Sequence, residues 1–420
     1  MEKGKQSGHW TALLAEGGGD PDGGGRARRE AGLTTRAVHG HMPVVPNTPL
    51  SQPLFQTSAW RVGSIDDFHD VLRGDLQGYV YSRGYGNPTV EALERTICHL
   101  EHAEAAVAFN AGVAAIHSVL LDVVPPGGRV IASRELYGGT LGLLDTQLQA
   151  AGVSVTYVDP AATDAIVAEL PGASLCLLET ISNPFLTVAD LSTVGAACAA
   201  AGVPLAVDNT FASPVLCNPA DFGATYVMHS ASKYIGGHSD VIGGIVCASA
   251  AHCVRLRKVA TSLGNMMQPF EAWLCLRALP TLDLRVRRQC QTAGVLAALL
   301  ERCPSVENLR YPGRPTDGSH AVACAHLRDF GGVLSFELRG GRREAVAFCE
   351  ALRLVWIAGS LGGPHSVVCV PAESSHLQVS ARSSHPGKVS DRLVRVAVGL
   401  EDSDDLVADF KQALQASAEC

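Results

Sequence analysis

One lysine lies alone in the middle of this chain. Between Lys5 and Lys258 the only lysine is Lys233, although the chain carries 33 basic residues. Arginine stays protonated and cannot form a Schiff base, whereas a partly desolvated lysine can lose its proton and attack an aldehyde. Lys233 is therefore a candidate for covalent catalysis. The alternative is a surface lysine in a polar turn.

Two hydroxyl groups precede this lysine at short range. Ser230 and Ser232 follow the apolar run 226–228, which we predict to be a strand. Hydroxyls at the carboxyl end of a strand can bind a phosphate while the nearby amine reaches an aldehyde. The spacing favours a cofactor that carries both groups.

Three further segments could contact such a cofactor. Asp208 ends the apolar run 204–207, where an acid can pair with a protonated pyridine nitrogen, although such an acid is usually a helix cap or a loop ligand. Gly112 lies at a predicted strand-to-helix junction, where backbone N–H groups bind phosphate, or where glycine serves packing alone. Tyr137 offers a ring that could stack on a planar cofactor, and ordinary packing explains it equally well.

Buried apolar runs alternate with helical patterns from about residue 90 onward. Helical spacing begins at 90–102, for which Thr89 is the predicted N-cap. Apolar strands separated by helices predict an α/β protein with a mostly parallel sheet covered on both faces. The predicted strands are 105–109, 129–132, 154–158, 175–178, 204–207, 226–228 and 242–247.

The composition and the hydrophobic pattern of the sequence change along the chain. We predict a disordered, glycine-rich tail at 1–32, a proline-punctuated N-terminal arm at 33–85, a cofactor-binding domain at 86–280, and a smaller C-terminal α+β domain at 281–420. An extended arm needs another surface to pack on, which indicates an oligomer.

Composition excludes several classes of protein. The net charge is −8 and 47% of residues are apolar, which is typical of a globular enzyme and not of a nucleic-acid-binding protein. No apolar stretch reaches the roughly 18 residues of a membrane span, so we expect a cytoplasmic protein. The 13 cysteines are scattered without CxxC pairs, so we expect neither disulfides nor a metal site, and we predict that Cys176, Cys247 and Cys369 are buried.

An ordered series of segments resembles one enzyme family over about nine tenths of the chain. The sequence is similar to the Cys/Met-metabolism family of pyridoxal-5′-phosphate (PLP) enzymes, which includes cystathionine γ-synthase, cystathionine lyases, methionine γ-lyase and sulfhydrylases. The matching segments are Tyr81-Ser82-Arg83, Asn87-Pro88-Thr89, Leu136 to Thr140, Glu179 to Pro184, Asp208 to Phe211, His229 to Asp240, Tyr311-Pro312-Gly313, Ser360 to Gly363 and Arg395 to Asp402.

The resemblance implies a role for each matching residue. It implies the fold-type-I PLP-dependent architecture, a homotetramer, and Lys233 and Tyr137 as catalytic residues, the lysine holding PLP and the tyrosine stacking on it. The implied cofactor-binding residues are Asp208, Gly112, Val113, Ser230, Ser232 and Asn183, with Tyr81 and Arg83 supplied by a neighbouring subunit. Arg395, Ser360 and Asn183 would orient the amino-acid substrate.

The resemblance also implies the chemistry. We expect γ-elimination on a γ-substituted L-amino acid, with the freed Lys233 amine moving a proton between Cα and Cβ. The first alternative is γ-replacement on an activated homoserine, as in a cystathionine γ-synthase or a sulfhydrylase. The second is a PLP-binding protein without catalysis, which would not require Lys233, Asp208 and Arg395 together.

Some positions depart from the family pattern. Gly359 replaces a common glutamate, Gly139 replaces the cysteine of methionine γ-lyases, Leu141-Gly142-Leu143 lacks an expected arginine, Pro364-His365 is unusual, and Gly84-Tyr85-Gly86 is one residue longer than expected. We expect these changes to lie near the distal end of the substrate, so that cystathionine is not the substrate. Neutral loop variation is the alternative.

Overall fold

The computed structural model describes residues 32–39, 49–84, 86–380 and 386–418. Residues 1–31, nearly the whole of the predicted tail, lie outside the described residues. Within them, seven strands form one sheet in the order β1-β7-β6-β5-β4-β2-β3. These strands are β1 Ala105–Phe109, β2 Arg129–Ser133, β3 Ser154–Val158, β4 Leu175–Glu179, β5 Leu205–Asp208, β6 Tyr226–Ser230 and β7 Gly244–Ala248.

All strands of this sheet except β7 run in the same direction. The pairs β2–β3, β2–β4, β4–β5 and β5–β6 are parallel, and β7 is antiparallel to both β1 and β6. The predicted mostly parallel sheet is therefore confirmed. Because parallel strands end at one edge, the residues that follow β1, β4, β5 and β6 come together there.

The large sheet is buried on both faces, as its continuous apolar strands predict. Along β4, Cys176 and Leu178 pack in one hydrophobic cluster, while Leu175 and Leu177 pack in a second cluster on the opposite face. The predicted burial of Cys176, Cys247 and Cys369 is also confirmed.

Helices cover these faces and connect the strands. Their bounds are α1 Leu33–His39, α2 Ile65–Arg73, α3 Pro88–Leu100, α4 Gly112–Val123, α5 Gly138–Leu143, α6 Thr163–Glu169, α7 Leu191–Ala201, α8 Ser213–Leu216, α9 Ala250–Leu263, α10 Pro269–Ala278, α11 Leu282–Leu300, α12 His320–His326, α13 Arg342–Ala351, α14 Leu377–Ser380 and α15 Ser403–Ala418.

A second, smaller sheet lies in the C-terminal part. Its order is β10-β11-β12-β9-β8, and β10–β11 is its one parallel pair. The strands are β8 Val306–Arg310, β9 Val333–Leu338, β10 Trp356–Ile357, β11 Val367–Cys369 and β12 Leu393–Ala397. Together with α13 and α15 it encloses a separate hydrophobic cluster.

Helix α11 connects the two cores. Leu282 and Val286, near its start, pack in the cluster of the large sheet, whereas Leu296 and Leu300, near its end, pack in the cluster of the small sheet. The predicted domain boundary at residue 281 stays a prediction, and it falls where this connecting helix begins.

The described part of the arm contains two helices and several contacts to the body of the protein. Trp273 Nε1 donates to the carbonyl of Gln52 at 2.9 Å. The predicted N-cap Thr89 is wrong: Asn87 caps α3 by accepting from the Thr89 N–H at 2.9 Å. The Thr89 hydroxyl instead donates to the carbonyl of Pro53 and accepts from the N–H of Phe55, because the arm passes directly over the start of the helix.

Candidate active site

A cleft of about 230 Å³ opens at the carboxyl edge of the large sheet and faces the small sheet. It brings together most of the residues that the sequence predicted. Nine of them line it, namely Gly112, Val113, Tyr137, Asn183, Asp208, Ser230, Ser232, Lys233 and Arg395.

Lys233 lies in the turn that follows β6, with its amine at the junction of the two domains. Its Nζ donates to the Ser360 hydroxyl at 3.1 Å. Burial lowers the pKa of the Lys233 amine, and the nearby Arg395 guanidinium lowers it further. Both effects favour the neutral amine that an attack on an aldehyde requires.

A glycine allows the small domain to approach this lysine closely. Gly362 has φ +75, and a Cβ there would lie 2.6 Å from the backbone nitrogen of Tyr234. Only glycine tolerates both the conformation and the contact. The Ser360 segment can therefore lie against the Lys233 turn.

Asp208 is fixed at the end of β5 by Thr210. Thr210 N–H donates to Asp208 Oδ1 at 2.9 Å, while the Thr210 hydroxyl accepts from the Ser230 N–H at 2.8 Å. Burial raises the pKa of the Asp208 carboxyl, and the hydrogen bonds from Thr210 lower it. Thr210 was not predicted as a site residue, although an Asp-x-Thr sequence after a strand is a recognisable turn signal.

The start of α4 lies against the end of β6 and forms a narrow cradle. A Cβ on Gly112 would lie 2.9 Å from Cβ and 3.1 Å from Cα of Ser230. The Ser232 hydroxyl accepts from the Gly243 N–H at 3.0 Å, which fixes the next turn of the cradle. N–H groups at a helix start next to serine hydroxyls are suited to a phosphate.

Tyr137 lines the cleft and is held from behind by Glu179, the last residue of β4. The Tyr137 N–H donates to Glu179 Oε1 at 2.8 Å. Burial raises the pKa of Glu179 well above its usual range, and the neighbouring Asp208 raises it further. Sequence reasoning assigned no role to Glu179, although an acid that ends a buried apolar strand was a signal for one.

Arg395 reaches the cleft from β12, the central strand of the small sheet. It is 3% exposed. Its Nη1 donates to Asn183 Oδ1 at 2.9 Å and its Nη2 donates to the Ser360 carbonyl at 3.3 Å. Arg395 Nε is buried and has no hydrogen-bond partner among the described residues. A guanidinium with an unused donor in a cleft is suited to bind a carboxylate.

Tyr81 and Arg83 are not brought to this cleft by their own chain. Both line a different cleft, together with residues 266–269. Arg83 Nη1 donates to the Thr261 carbonyl at 3.1 Å, and its guanidinium lies 5.9 Å from the centre of the Tyr81 ring.

Comparison with known proteins decides the family. The family model described as "Cys/Met metabolism PLP-dependent enzyme" matches residues 34–415. The chain belongs to this family. As a family member it is a PLP-dependent enzyme, and the alternative of a protein without catalysis is not supported.

Relatives with different named activities have the same sequence identity to this chain. An L-methionine γ-lyase of Pseudomonas deceptionensis is 36% identical over 392 residues, covering 92% of this chain and 98% of the relative. An O-succinylhomoserine sulfhydrylase of Pseudomonas aeruginosa is also 36% identical, over 389 residues, covering 92% and 96%. The crystal structure of metB from Corynebacterium glutamicum has TM-score 0.87 at 34% identity and covers 92% of this chain and 98% of that one. The fold-type-I architecture is confirmed.

The cleft of this family member fits PLP. It offers the amine of Lys233, the half-buried carboxyl group of Asp208, a cradle at Gly112 that any side chain would fill, and a ring at Tyr137. These groups match the aldehyde, the pyridine nitrogen, the phosphate and the ring of the cofactor in turn. Among the described residues no cluster of three or more His, Cys, Asp or Glu could hold a metal ion.

The departures from the family pattern fall in different places. Gly359 lines the cleft, and a Cβ there would meet nothing within 4 Å. Leu141 and Leu143 are instead buried in the core on one face of the large sheet. His365 stacks on Trp356 at 4.2 Å, and Tyr85 lies outside the described residues. Gly139 lies against the Tyr137 ring, where a Cβ would come within 2.5 Å of Tyr137 Cε1. Gly359 and Gly139 are therefore departures that bear directly on the cleft.

In the described part of this chain, no helix combines the length and apolar character needed to cross a bilayer.

Proposed function

We propose that this enzyme catalyses γ-elimination on an L-amino acid with an uncharged γ-substituent. The observation that carries the proposal is the position of Ser360. Its hydroxyl accepts from the Lys233 amine at 3.1 Å and its carbonyl accepts from Arg395 at 3.3 Å. A substrate whose carboxylate is bound by Arg395 therefore presents its Cα and Cβ to the Lys233 amine.

When bound, PLP withdraws electrons from the substrate's Cα. The residues of this chain do the rest. Lys233 would hold the cofactor aldehyde and, once free, would move a proton between Cα and Cβ, since its lowered pKa lets it act as a base. Asp208 would pair with the ring nitrogen, and Tyr137 would stack on the ring. Arg395 fixes the α-carboxylate.

None of the acidic and basic side chains of the cleft is left to bind a charge at the far end of the substrate. Among the described residues that line the cleft, the acidic and basic side chains are Glu179, Asp208, Lys233 and Arg395. Each faces the cofactor, the α-carboxylate or the Tyr137 backbone in the roles proposed above. Gly359 and Leu361, which flank Ser360 in the sequence, and Ile242 also line the cleft. A small uncharged γ-substituent fits there without burying an unpaired charge, which would cost several kcal/mol.

γ-Replacement on an activated homoserine is the second candidate function. The relative named as an O-succinylhomoserine sulfhydrylase is as similar to this chain as the one named as a methionine γ-lyase. The open space at Gly359 could admit a second, nucleophilic substrate. The same catalytic residues would serve, and only the fate of the intermediate would differ.

We also propose that the enzyme is a cytoplasmic homotetramer in which Tyr81 and Arg83 complete the active site of a neighbouring subunit. Helix α2 supports this proposal, because none of its residues is buried although it carries an apolar face, with Ile65 72% exposed. An unburied apolar face of this kind is typical of a protein interface.

The proposed function is tested by supplying the enzyme and PLP with a panel of substrates and measuring 2-oxo acid release. We expect S-alkyl homocysteines to release 2-oxo acid faster than cystathionine or O-succinylhomoserine. Adding thiols to reactions with O-acetylhomoserine tests replacement. Faster turnover of cystathionine than of every uncharged substrate would contradict the proposal, and a new thioether product without oxo acid would favour γ-replacement.

A further inference from the structure

Two carboxyl groups, those of the buried Glu179 and the half-buried Asp208, lie side by side in the cleft. Glu179 ends β4 and Asp208 ends β5, and the parallel register places these two residues opposite each other. Paired residues on neighbouring strands face the same side of a sheet, and both of these line the cleft. The family's cofactor chemistry gives Asp208 a role but leaves Glu179 without one.

Glu179 has no contact with a cationic side chain among the described residues. Its Oε1 accepts from the Tyr137 N–H at 2.8 Å. Its Oε2 is buried and has no hydrogen-bond partner among the described residues. The two cations of the cleft are directed elsewhere, since Lys233 contacts Ser360 and Arg395 contacts Asn183 and Ser360.

Two adjacent carboxyl groups without a cation between them do not both ionise. Burial raises the pKa of both. Asp208 raises the pKa of Glu179 well above its usual range despite the Tyr137 and Asn183 N–H groups, which lower it, whereas the Thr210 hydrogen bonds and the nearby His229 lower the pKa of Asp208. Asp208 is therefore the group that keeps its charge.

We propose that Glu179 is a positioning residue that works as an uncharged carboxylic acid. Its carbonyl oxygen holds the Tyr137 backbone, its O–H presents a donor to the cleft, and Asp208 remains the single anionic carboxylate beside the cofactor's ring nitrogen. The inference rests on the cofactor alone and is independent of which substrate the enzyme takes.

The test makes the same isosteric change at both acids. Glu179→Gln keeps an acceptor for Tyr137 and a donor in place of the O–H, and Asp208→Asn is its matched control. Glu179→Leu keeps a side chain of similar size but has neither the acceptor for the Tyr137 N–H nor the donor. For each full-length variant, PLP is titrated into cofactor-free protein, and the visible absorbance of the lysine-bound cofactor is then followed against pH.

We expect Glu179→Gln to keep the pH midpoint of the absorbance, because the charge of the cleft is unchanged. Asp208→Asn should shift this midpoint and weaken PLP binding by about tenfold or more, since the ring nitrogen loses its anionic partner. Glu179→Leu should weaken PLP binding by about tenfold through the unpaired Tyr137 N–H, and glutamine at this position should restore it.

A midpoint shift in Glu179→Gln as large as in Asp208→Asn would show that Glu179 is ionised and would overturn the inference. PLP binding by Glu179→Leu as tight as in the wild type would overturn the positioning role. If the leucine variant does not fold, as judged by circular dichroism, the Glu179→Gln and Asp208→Asn pair still decides. Failure of the wild type to bind PLP would instead contradict the cofactor assignment.

Discussion

At the scale of single residues, the active site depends on a few side chains that reach from one domain to the other. Arg395 belongs to the small sheet but contacts Asn183 of the large domain, and Ser360 of the small domain contacts Lys233 of the large one. The amine and the carboxylate-binding group are thus held in one arrangement by reciprocal contacts. Substrate orientation should depend on the fork of Arg395 more than on its charge.

Arg395→Lys tests this dependence. Lysine keeps the positive charge but cannot contact Asn183, Ser360 and a carboxylate together, so we expect kcat/KM to fall by about 10- to 100-fold, mostly through a higher KM. PLP binding, measured by absorbance, should change little. An unchanged KM would contradict the assignment of Arg395 to the α-carboxylate.

At the scale of elements, the site is built where strand ends and helix starts meet. One such approach is between Gly112, at the start of α4, and Ser230, at the end of β6. A buried polar cluster around Glu101, the residue that follows α3, also supports these strand ends. Glu101 pairs with His229 of β6 at 2.6 Å and accepts from Asn209 at 2.8 Å. All three side chains are buried.

Gly112→Ala should weaken the binding of PLP. The added methyl group would lie 2.9 Å from the Ser230 side chain, so α4 or the end of β6 must move and the phosphate cradle must change shape. We expect the PLP dissociation constant to rise by about tenfold or more, as an overpacking cost of 1–3 kcal/mol implies. Gly142→Ala, where a Cβ meets nothing within 4 Å, is the control. Equal PLP affinity in the two variants would contradict the assignment of the cofactor's phosphate to the Gly112 cradle.

Glu101→Ala should destabilise the whole large domain. It leaves His229 Nε2 without its carboxylate partner and one of the two Asn209 amide N–H groups unpaired, while the other still donates to the Cys217 carbonyl. This loss should cost about 3–5 kcal/mol of unfolding free energy in urea at fixed PLP and protein concentration. Asp70→Ala removes the exposed ion pair with Arg73 and should cost less than about 1 kcal/mol. A loss in Glu101→Ala no larger than in this control would contradict the account of the buried pair.

The bounds of some strands could be predicted from the sequence, whereas the roles of several side chains could not. Strands β1 and β3 begin and end where the apolar runs predicted, although both lie at the edges of the sheet and β3 is only partly buried. The role of Thr89 was not predictable, since it depends on where the distant arm passes. Glu179 and Thr210 were missed for the same reason: their partners, Tyr137 and Ser230, are distant in sequence and become neighbours only through the strand order.

At the scale of the whole molecule, a single chain does not bring all the predicted residues together. Tyr81 and Arg83 lie in a separate cleft, and α2 has an apolar face without a covering surface among the described residues. Both observations agree with an active site that is completed by a second copy of the chain. The arm would then be a catalytic element of the neighbouring subunit.

Mixed oligomers test this assembly. Arg83→Ala and Lys233→Arg should each abolish or strongly reduce activity, and coexpression of the two variants should restore about a quarter of wild-type activity, because half of the symmetric dimers are mixed and each holds one intact site. Native mass spectrometry confirms the mixing. Mixed oligomers with no more activity than either parent would place Arg83 in the active site of its own chain, or in none.

The most direct test of the assignment of PLP to Lys233 is to reduce the PLP-loaded enzyme with borohydride and to map the modified peptide by mass spectrometry. We predict one reduced pyridoxyl group, on Lys233, and none in the Lys233→Arg variant, whose guanidinium cannot bind the aldehyde. Modification of another lysine, or no modification under conditions in which the protein is folded and PLP is in excess, would contradict this assignment.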